Sequence, residues 1–316
     1  ATGQYGSGGG MRNNSSSSPT LTDCVLCGNN SGQIFGGYTD LGGNCVRMIC
    51  DDSDGDGRPD CGNQDSDLEL SVPGEYESIE LAIDAAAPGA VIIIEAGTFT
   101  PLVTLDTLGK AITLRGAIDK NGTPSTIIDG GGMIRVLQCV SGETSDTIFE
   151  NLVITGGQAD EGGGMMCQDS SPTLTNCVFE GNSASGKIGR GGGISCFNSS
   201  PNLSDCLFLE NTSFSSQNYG GGGMSCWDGS HAILENCTFL RNTVLGDGGG
   251  FSCAGSAPIL SSCIFQENVA GDDAGGLRCM GSNPTMINCV LQANSASDRG
   301  GGIYATFGSP VLDGCV

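Results

Sequence analysis

Large rings and basic residues are scarce in this chain. Aromatic residues make up 5% of the 316 positions, and there is one tryptophan and one histidine, His231. So few rings cannot fill a thick globular core, so the core must be thin and repetitive. Lysine and arginine total 12 against 35 acidic residues, a formal charge of −23. Such a surface repels nucleic acid and anionic membranes, which excludes both as partners. No apolar run approaches the roughly 20 residues of a membrane span. The strongest, Val91-Ile92-Ile93-Ile94, is strand-sized. No signal peptide is present, so Ala1 reads as a processed or truncated start.

Glycine and cysteine are abundant instead, with 54 and 17 copies. Many glycines suit many tight corners. Seventeen thiols beside one histidine fit poorly with metal sites and better with an oxidising compartment, so a secreted, extracellular location is expected. The odd count leaves at least one thiol free or paired with another chain.

Internal repetition dominates the sequence. The unit is Gly162-Gly163-Gly164-Met165-Met166-Cys167, then Ser171-Pro172-Thr173-Leu174-Thr175-Asn176-Cys177-Val178-Phe179-Glu180-Gly181-Asn182. It recurs over residues 191–211, 221–242, 248–268 and 275–294, begins again at Gly300, and opens the chain at residues 8–29. One cysteine column holds Cys167, Cys196, Cys226, Cys253 and Cys279; a second holds Cys177, Cys206, Cys237, Cys263, Cys289 and Cys315. Steps of 26 to 31 residues set the period, and the variable length falls between the Asn and the next glycine run. Insertions therefore go to one corner.

Within a unit, Met165 and Cys167 alternate around Met166, and Cys177 and Phe179 around Val178, the mark of short strands with one inward face. Ser-Pro before Thr173, and Asn176 before Cys177, are turn chemistry. The asparagines at 182, 211, 242, 268 and 294 are expected to stack as a ladder. A helical reading fails at this glycine density.

The pairs Gly192-Gly193-Ile194 and Phe208-Leu209-Glu210-Asn211 resemble the Gly-Gly-x-Ile and Phe-x-x-Asn repeat of polymorphic outer-membrane proteins. Residues 72–157 lead into the same stack. Ser78 is an N-cap candidate before Ile79, Leu81, Ala82, Ile83 and Ala86, and Gly97-Thr98-Phe99 follows the first strand. This start resembles that of pectin-lyase-like right-handed β-helices, where a short helix caps the open end. The resemblance implies an all-β fold, a parallel right-handed β-helix over residues 91–316 with a capping helix over 78–87. Inward positions are expected at Ile93, Leu114, Ile128, Ile154, Cys167, Leu174, Cys177, Phe179, Phe208, Phe239 and Phe265. The domains then read 1–30, a coil completing a preceding stack; 31–71, an acidic cysteine-rich linker; and 72–316, the β-helix.

The linker carries the sharpest chemical motif. Asp52, Asp54, Asp56 and Asp60 alternate around Gly57, whose freedom permits the sharp turn of a Ca²⁺ loop. Arg58 offers a backbone carbonyl and Asn63 stands where a sixth ligand falls. The spacing resembles thrombospondin type 3 and dockerin-like calcium loops, and implies calcium as the cofactor. Cys50 and Cys61 bracket the loop and are placed to close it by a disulfide. In the repeats, in-coil pairs are expected between Cys167 and Cys177, Cys196 and Cys206, Cys226 and Cys237, Cys253 and Cys263, and Cys279 and Cys289; the alternative is buried free thiols acting as small apolar fillers.

Catalysis is not expected. A glycosidase needs paired carboxylates and a lyase a poised base. Asp146 and Glu150 have no base nearby in sequence, and His231 occupies a turn slot held by proline in other coils, as at Pro201 and Pro258. Trp227 is expected to point outward, a possible platform for a sugar. The chain ends carry the functional expectation. Residues 1–10 align on 184–193 without gaps, and Val316 falls within a coil. Gly8, Met11, Leu21 and Cys24 of the opening coil would thus meet Leu312 and Cys315 of another stack, head to tail. That stack belongs to another copy of the protein, to a tandem neighbouring domain, or to the same chain. The expected role is a secreted filament or stalk; the alternative is a monomeric adhesin that binds extracellular glycans, with a polysaccharide lyase behind both.

Overall fold

A computed structural model describes residues 68–216 and 220–316, together with the backbone of six short strands within residues 1–67. The chain divides into two units, Ala1–Asp67 and Leu68–Val316.

The larger unit is a parallel β-solenoid of about nine turns with one helix. Each full turn crosses four sheets. Sheet I has eight strands, among them Met165–Gln168, Ile194–Phe197, Met224–Trp227 and Phe251–Ala254. Sheet II has ten and includes Thr173–Thr175; sheet III has eight and includes Val178–Glu180; sheet IV has six two-residue strands, such as Ser183–Ala184. Every pairing between these strands is parallel, and at inward positions of the central coils it matches like with like: Met165 on Ile194, Cys167 on Cys196, Leu174 on Leu203, Phe179 on Phe208. The corner between sheets II and III is a single left-handed residue, with φ of 49° at Asn176, 54° at Asp205 and Asn236, and 53° at Asn288. Asn and Asp tolerate that conformation better than other residues carrying a β-carbon.

Two side-chain columns fill the interior. Phe179, Phe208, Phe239 and Phe265 are fully buried, with near-parallel rings 5.3, 4.5 and 4.7 Å apart in succession. The asparagine ladder forms as expected from the sequence. The Nδ2 of Asn182, Asn211, Asn242 and Asn268 each donates to Oδ1 of the asparagine one coil on, at 2.9–3.0 Å. The backbone N–H of the same residue donates to that same oxygen at 3.0–3.1 Å. The second Nδ2 hydrogen goes back one coil, from Asn242 to the Phe208 carbonyl, for example, at 2.9 Å.

The solenoid lattice starts earlier than the sequence suggests. Strand Glu69–Val72 pairs in parallel with Val91–Ile94, so the lattice begins before the helix. That helix, Ile79–Ala85, has Ser78 as its N-cap and buries Ile79, Ala82 and Ile83 against the first strands. Ile93 is a second correction. Ile92 and Ile94 are the buried pair and Ile93 faces outward, because four consecutive β-branched residues give alternation no polar mark. The other ten expected inward positions are all fully buried.

In the smaller unit, Met11–Arg12, Thr20–Leu21 and Val25–Cys27 pair in parallel with Ile34–Phe35, Thr39–Asp40 and Cys45–Arg47. Residues 34–47 therefore extend the coil pattern into the stretch read as linker. Their register of 23, 19 and 20 residues is shorter than the 26–31 of the larger unit, which hides it in the sequence.

Replacing Asn242 by Ala removes the acceptor of the Asn211 N–H and of one Asn211 Nδ2 hydrogen and the side-chain donor to the Phe208 carbonyl, while the Asn268 Oδ1 keeps only the backbone N–H of residue 242. Each buried unsatisfied group costs roughly 1–3 kcal/mol. The expected loss is about 3 kcal/mol or more by urea denaturation, and smaller for Asn294→Ala at the partly exposed end of the ladder.

Candidate functional site

The outer face of sheet I holds the most varied chemistry among the described residues. Alternation sends Met165 and Cys167 inward, so Met166, Gln168 and their counterparts point out. Gln168, Phe197 and Trp227 lie in register on adjacent strands. Phe197 and Trp227 are in contact, their ring centroids 4.2 Å apart at 45°. The Arg190 guanidinium lies over the indole, 3.6 Å from its centroid. Arg190 comes from the variable corner, and on the same outer face Ser195, Ser225 and Ser252 are buried.

A depression of about 370 Å³ opens here, lined by Arg135, Asp160, Glu161, Met166, Gln168, Phe197 and Trp227. Arg135 donates to the backbone oxygens of Gly162 and Glu161 and to Gln138 Oε1, each at 3.1 Å. Glu161 pairs with Arg190 at 3.5 Å. Burial raises the Glu161 carboxyl above its ordinary value, with Arg190 and Arg135 working against it.

The chain continues from these strands into a second, polar depression of about 500 Å³, lined by Glu143, Thr144, Ser145, Asp169, Ser171, Asn198 and neighbours. Asp169 and Asn198 directly follow Gln168 and Phe197, so the two depressions adjoin. Both residues are left-handed, with φ of 52° and 46°, and Asn198 Nδ2 donates to Asp169 Oδ1 at 2.7 Å. Beneath them runs a ladder of buried serines, in which the Ser170 N–H donates to Ser199 Oγ and the Ser199 N–H to Ser230 Oγ. Glu143 ends that ladder. Its carboxylate accepts from Thr107 Oγ1, Gly109 N, Ser141 N and Ser170 Oγ at 2.8–2.9 Å. Burial alone would raise the Glu143 carboxyl, but these donors outweigh it and hold it below its ordinary value.

A profile for a right handed beta helix region matches residues 204–316. The fold is a right-handed β-helix. Among solved structures, the crystal structure of pectate lyase Pel9A is similar at 14% identity and a TM-score of 0.42, over 71% of this chain and 62% of that one. Geobacillus virus E2 ORF18 is similar at 11% identity and a TM-score of 0.44, over 95% of this chain and 73% of that one. The chain thus spans under two thirds of the lyase's length. No curated protein matches.

Other residues singled out in the sequence are dispersed around the β-helix. Glu150 pairs with Arg115, while Asp146 sits in an exposed turn. His231 lies in a turn, its Nδ1 accepting from the Ala257 N–H. Asp247, Asp272 and Asp273 gather at the variable corner, but Arg278 pairs with Asp247 and Arg299 with Asp273, both at 2.9 Å. Leu312 is half exposed and Cys315 partly buried at the last coil. Asp52, Asp54, Asp56, Arg58, Asp60, Asn63, Cys50, Cys61, Gly8 and Cys24 lie outside the described residues; Met11 and Leu21 fall in strands of the smaller unit.

The in-coil disulfides are corrected. Cys167, Cys177, Cys196, Cys206, Cys226, Cys237, Cys253, Cys263, Cys279 and Cys289 are all free and buried, as is Cys139, which extends the first column. Like-on-like pairing places each thiol beside its counterparts one coil away, so Cys196 lies between Cys167 and Cys226, and Cys206 between Cys177 and Cys237. In the second column the thiols also meet carbonyls of the preceding coil, Cys206 Sγ lying 3.7 Å from the Leu174 oxygen. Burial pushes the Cys139 thiol well above its ordinary value, and hydrogen bonds with Cys177 and Cys237, then burial, do so for Cys206. A thiol held protonated in a dry core, as at Cys139 and Cys206, is a poor nucleophile.

Two outcomes are expected. Iodoacetamide should leave the eleven buried cysteines unmodified in the native protein and alkylate all of them after denaturation without reductant, with Cys315 the first to react among the described cysteines. Glu143 has a depressed folded value, so its contribution is complete above the unfolded carboxyl value of about 4.3 and is lost as pH falls through the lower folded value. Glu143→Gln should therefore be less stable at pH 7 and show a shallower loss in urea midpoint on acidification below about pH 4.

Proposed function

We propose that the chain is a structural component of an extracellular assembly, built from β-helical stacks that join end to end, and that it is not an enzyme. The observation that supports this reading is that parallel coil pairing recurs in both units of one chain. The smaller unit pairs two coils within residues 11–47, while the larger starts afresh with its own helix at Ile79. A two-coil stack buries little of its apolar face and gains by adding to another stack. Sheets I to IV end at Ile303–Thr306, Val311–Asp313, Val290–Gln292 and Ser295–Ala296, and a coil adding there extends all four ladders at once. A copy of this chain, or a tandem domain with the same coil, has the matching register.

Calcium binding at Asp52, Asp54, Asp56 and Asp60 belongs to the same reading. The motif falls between the two stacks in sequence, where a bound ion would stiffen the connection. Millimolar extracellular calcium suits such modules, and this, with the acidic composition, supports the external location now that the described cysteines are free. A second reading is a surface protein that holds glycans; the groove on sheet I favours it.

Light scattering and negative-stain micrographs of the full chain should show concentration-dependent linear particles with calcium, and shorter ones with EDTA. EDTA should also raise protease sensitivity within residues 48–67 and leave the solenoid uncut. A monomer at all concentrations would rule out end-to-end joining.

A further inference from the structure

We infer that the groove formed by the two adjoining depressions, one on the outer face of sheet I and one at the corner that leads from sheet I to sheet II, binds a neutral oligosaccharide, which rests on the glycan reading and names its ligand class. A pyranose presents an apolar C–H face and a rim of hydroxyls. The groove presents the same two chemistries side by side. Met166, Phe197 and Trp227, all partly exposed, form its apolar part. Hydroxyls, amides and a carboxylate of Thr144, Ser171, Asn198 and Asp169 form its polar part. The boundary between them is one peptide bond wide, at Gln168-Asp169 and Phe197-Asn198, so a chain of sugars can lie across both.

Volumes of about 370 and 500 Å³ each fall within the range of ligand sites. The strands beneath are fixed by the ladder above and below, so the groove is formed before ligand arrives and little ordering entropy is lost on binding.

Charge selects the class. Asp160, Glu161 and Asp169 line the groove, and the chain carries −23 overall. The nearby guanidinium of Arg190 faces Glu161 and Trp227, and that of Arg135 is engaged by backbone oxygens and Gln138. A polyuronate or sulfated chain would meet net repulsion at close range, whereas a neutral chain brings only donors and acceptors.

The test is calorimetric titration of the full chain with neutral hexasaccharides of glucose, xylose and mannose, and with hexagalacturonate. At least one neutral hexasaccharide should bind, with affinity little changed between low and high salt. Phe197→Ala should weaken it about tenfold or more and Phe197→Tyr should restore it, both with the solenoid still folded by circular dichroism at the titration temperature. Tighter binding of hexagalacturonate would overturn the neutral class and leave the glycan reading standing. Binding unaffected by Phe197→Ala would overturn the site. Binding of none of the sugars would overturn both.

Discussion

Everything in this molecule depends on parallel backbone pairing in register, coil upon coil. The spacing of roughly 4.8 Å is fixed by the hydrogen bond itself. Whatever residue occupies a place in one coil therefore lies against the same place in the next. A phenylalanine finds a phenylalanine, an asparagine an asparagine, a thiol a thiol. Only side chains that tolerate their own kind can be repeated inside. Flat rings stack, and primary amides both donate and accept. Thiols are small and neutral when protonated. Carboxylates repel their own kind, and the buried ones are met by other groups: Glu143 by hydroxyl and N–H donors, and Asp247 and Asp273, which gather at one corner, each by an arginine.

The same constraint explains what was legible in the sequence. Columns of Cys, Phe and Asn at a near-constant period announce a stack directly, and the turn residue before each second-column cysteine, asparagine at 176, 236 and 288, marks its corner. The cysteines misled for the same reason that they were informative. Ten residues apart within one repeat, Cys167 and Cys177 look like partners, but the lattice makes each a neighbour of the next coil's copy. Ile93 was misplaced because a run of four aliphatic residues has no visible face.

The groove was barely legible. Trp227 could be assigned to the outer face by alternation alone. Its contact with Phe197 follows from register, once the cysteines are aligned. Arg190, Asp160 and Glu161 come from the variable corner, whose lengths differ between coils, so no periodic signal places them over the sheet. Glu143 was equally hidden, since its importance lies in four donors drawn from three separate coils.

The asparagine ladder also gives the stack an electrical sense of direction. Every rung hands its backbone N–H and one Nδ2 hydrogen forward, from Asn182 to Asn211 to Asn242 to Asn268 to Asn294, and every amide oxygen faces back. The side-chain dipoles therefore add along the axis, as peptide dipoles do in a helix. The trailing end, at Asn182, offers its oxygen to the Gly157 N–H. The leading end presents amide hydrogens that face onward. A coil arriving there with an asparagine in the same place continues the row, and one with lysine or arginine there meets like polarity. The column of amides thus acts as a key that distinguishes head from tail and matching coils from mismatched ones, before any surface residue is consulted.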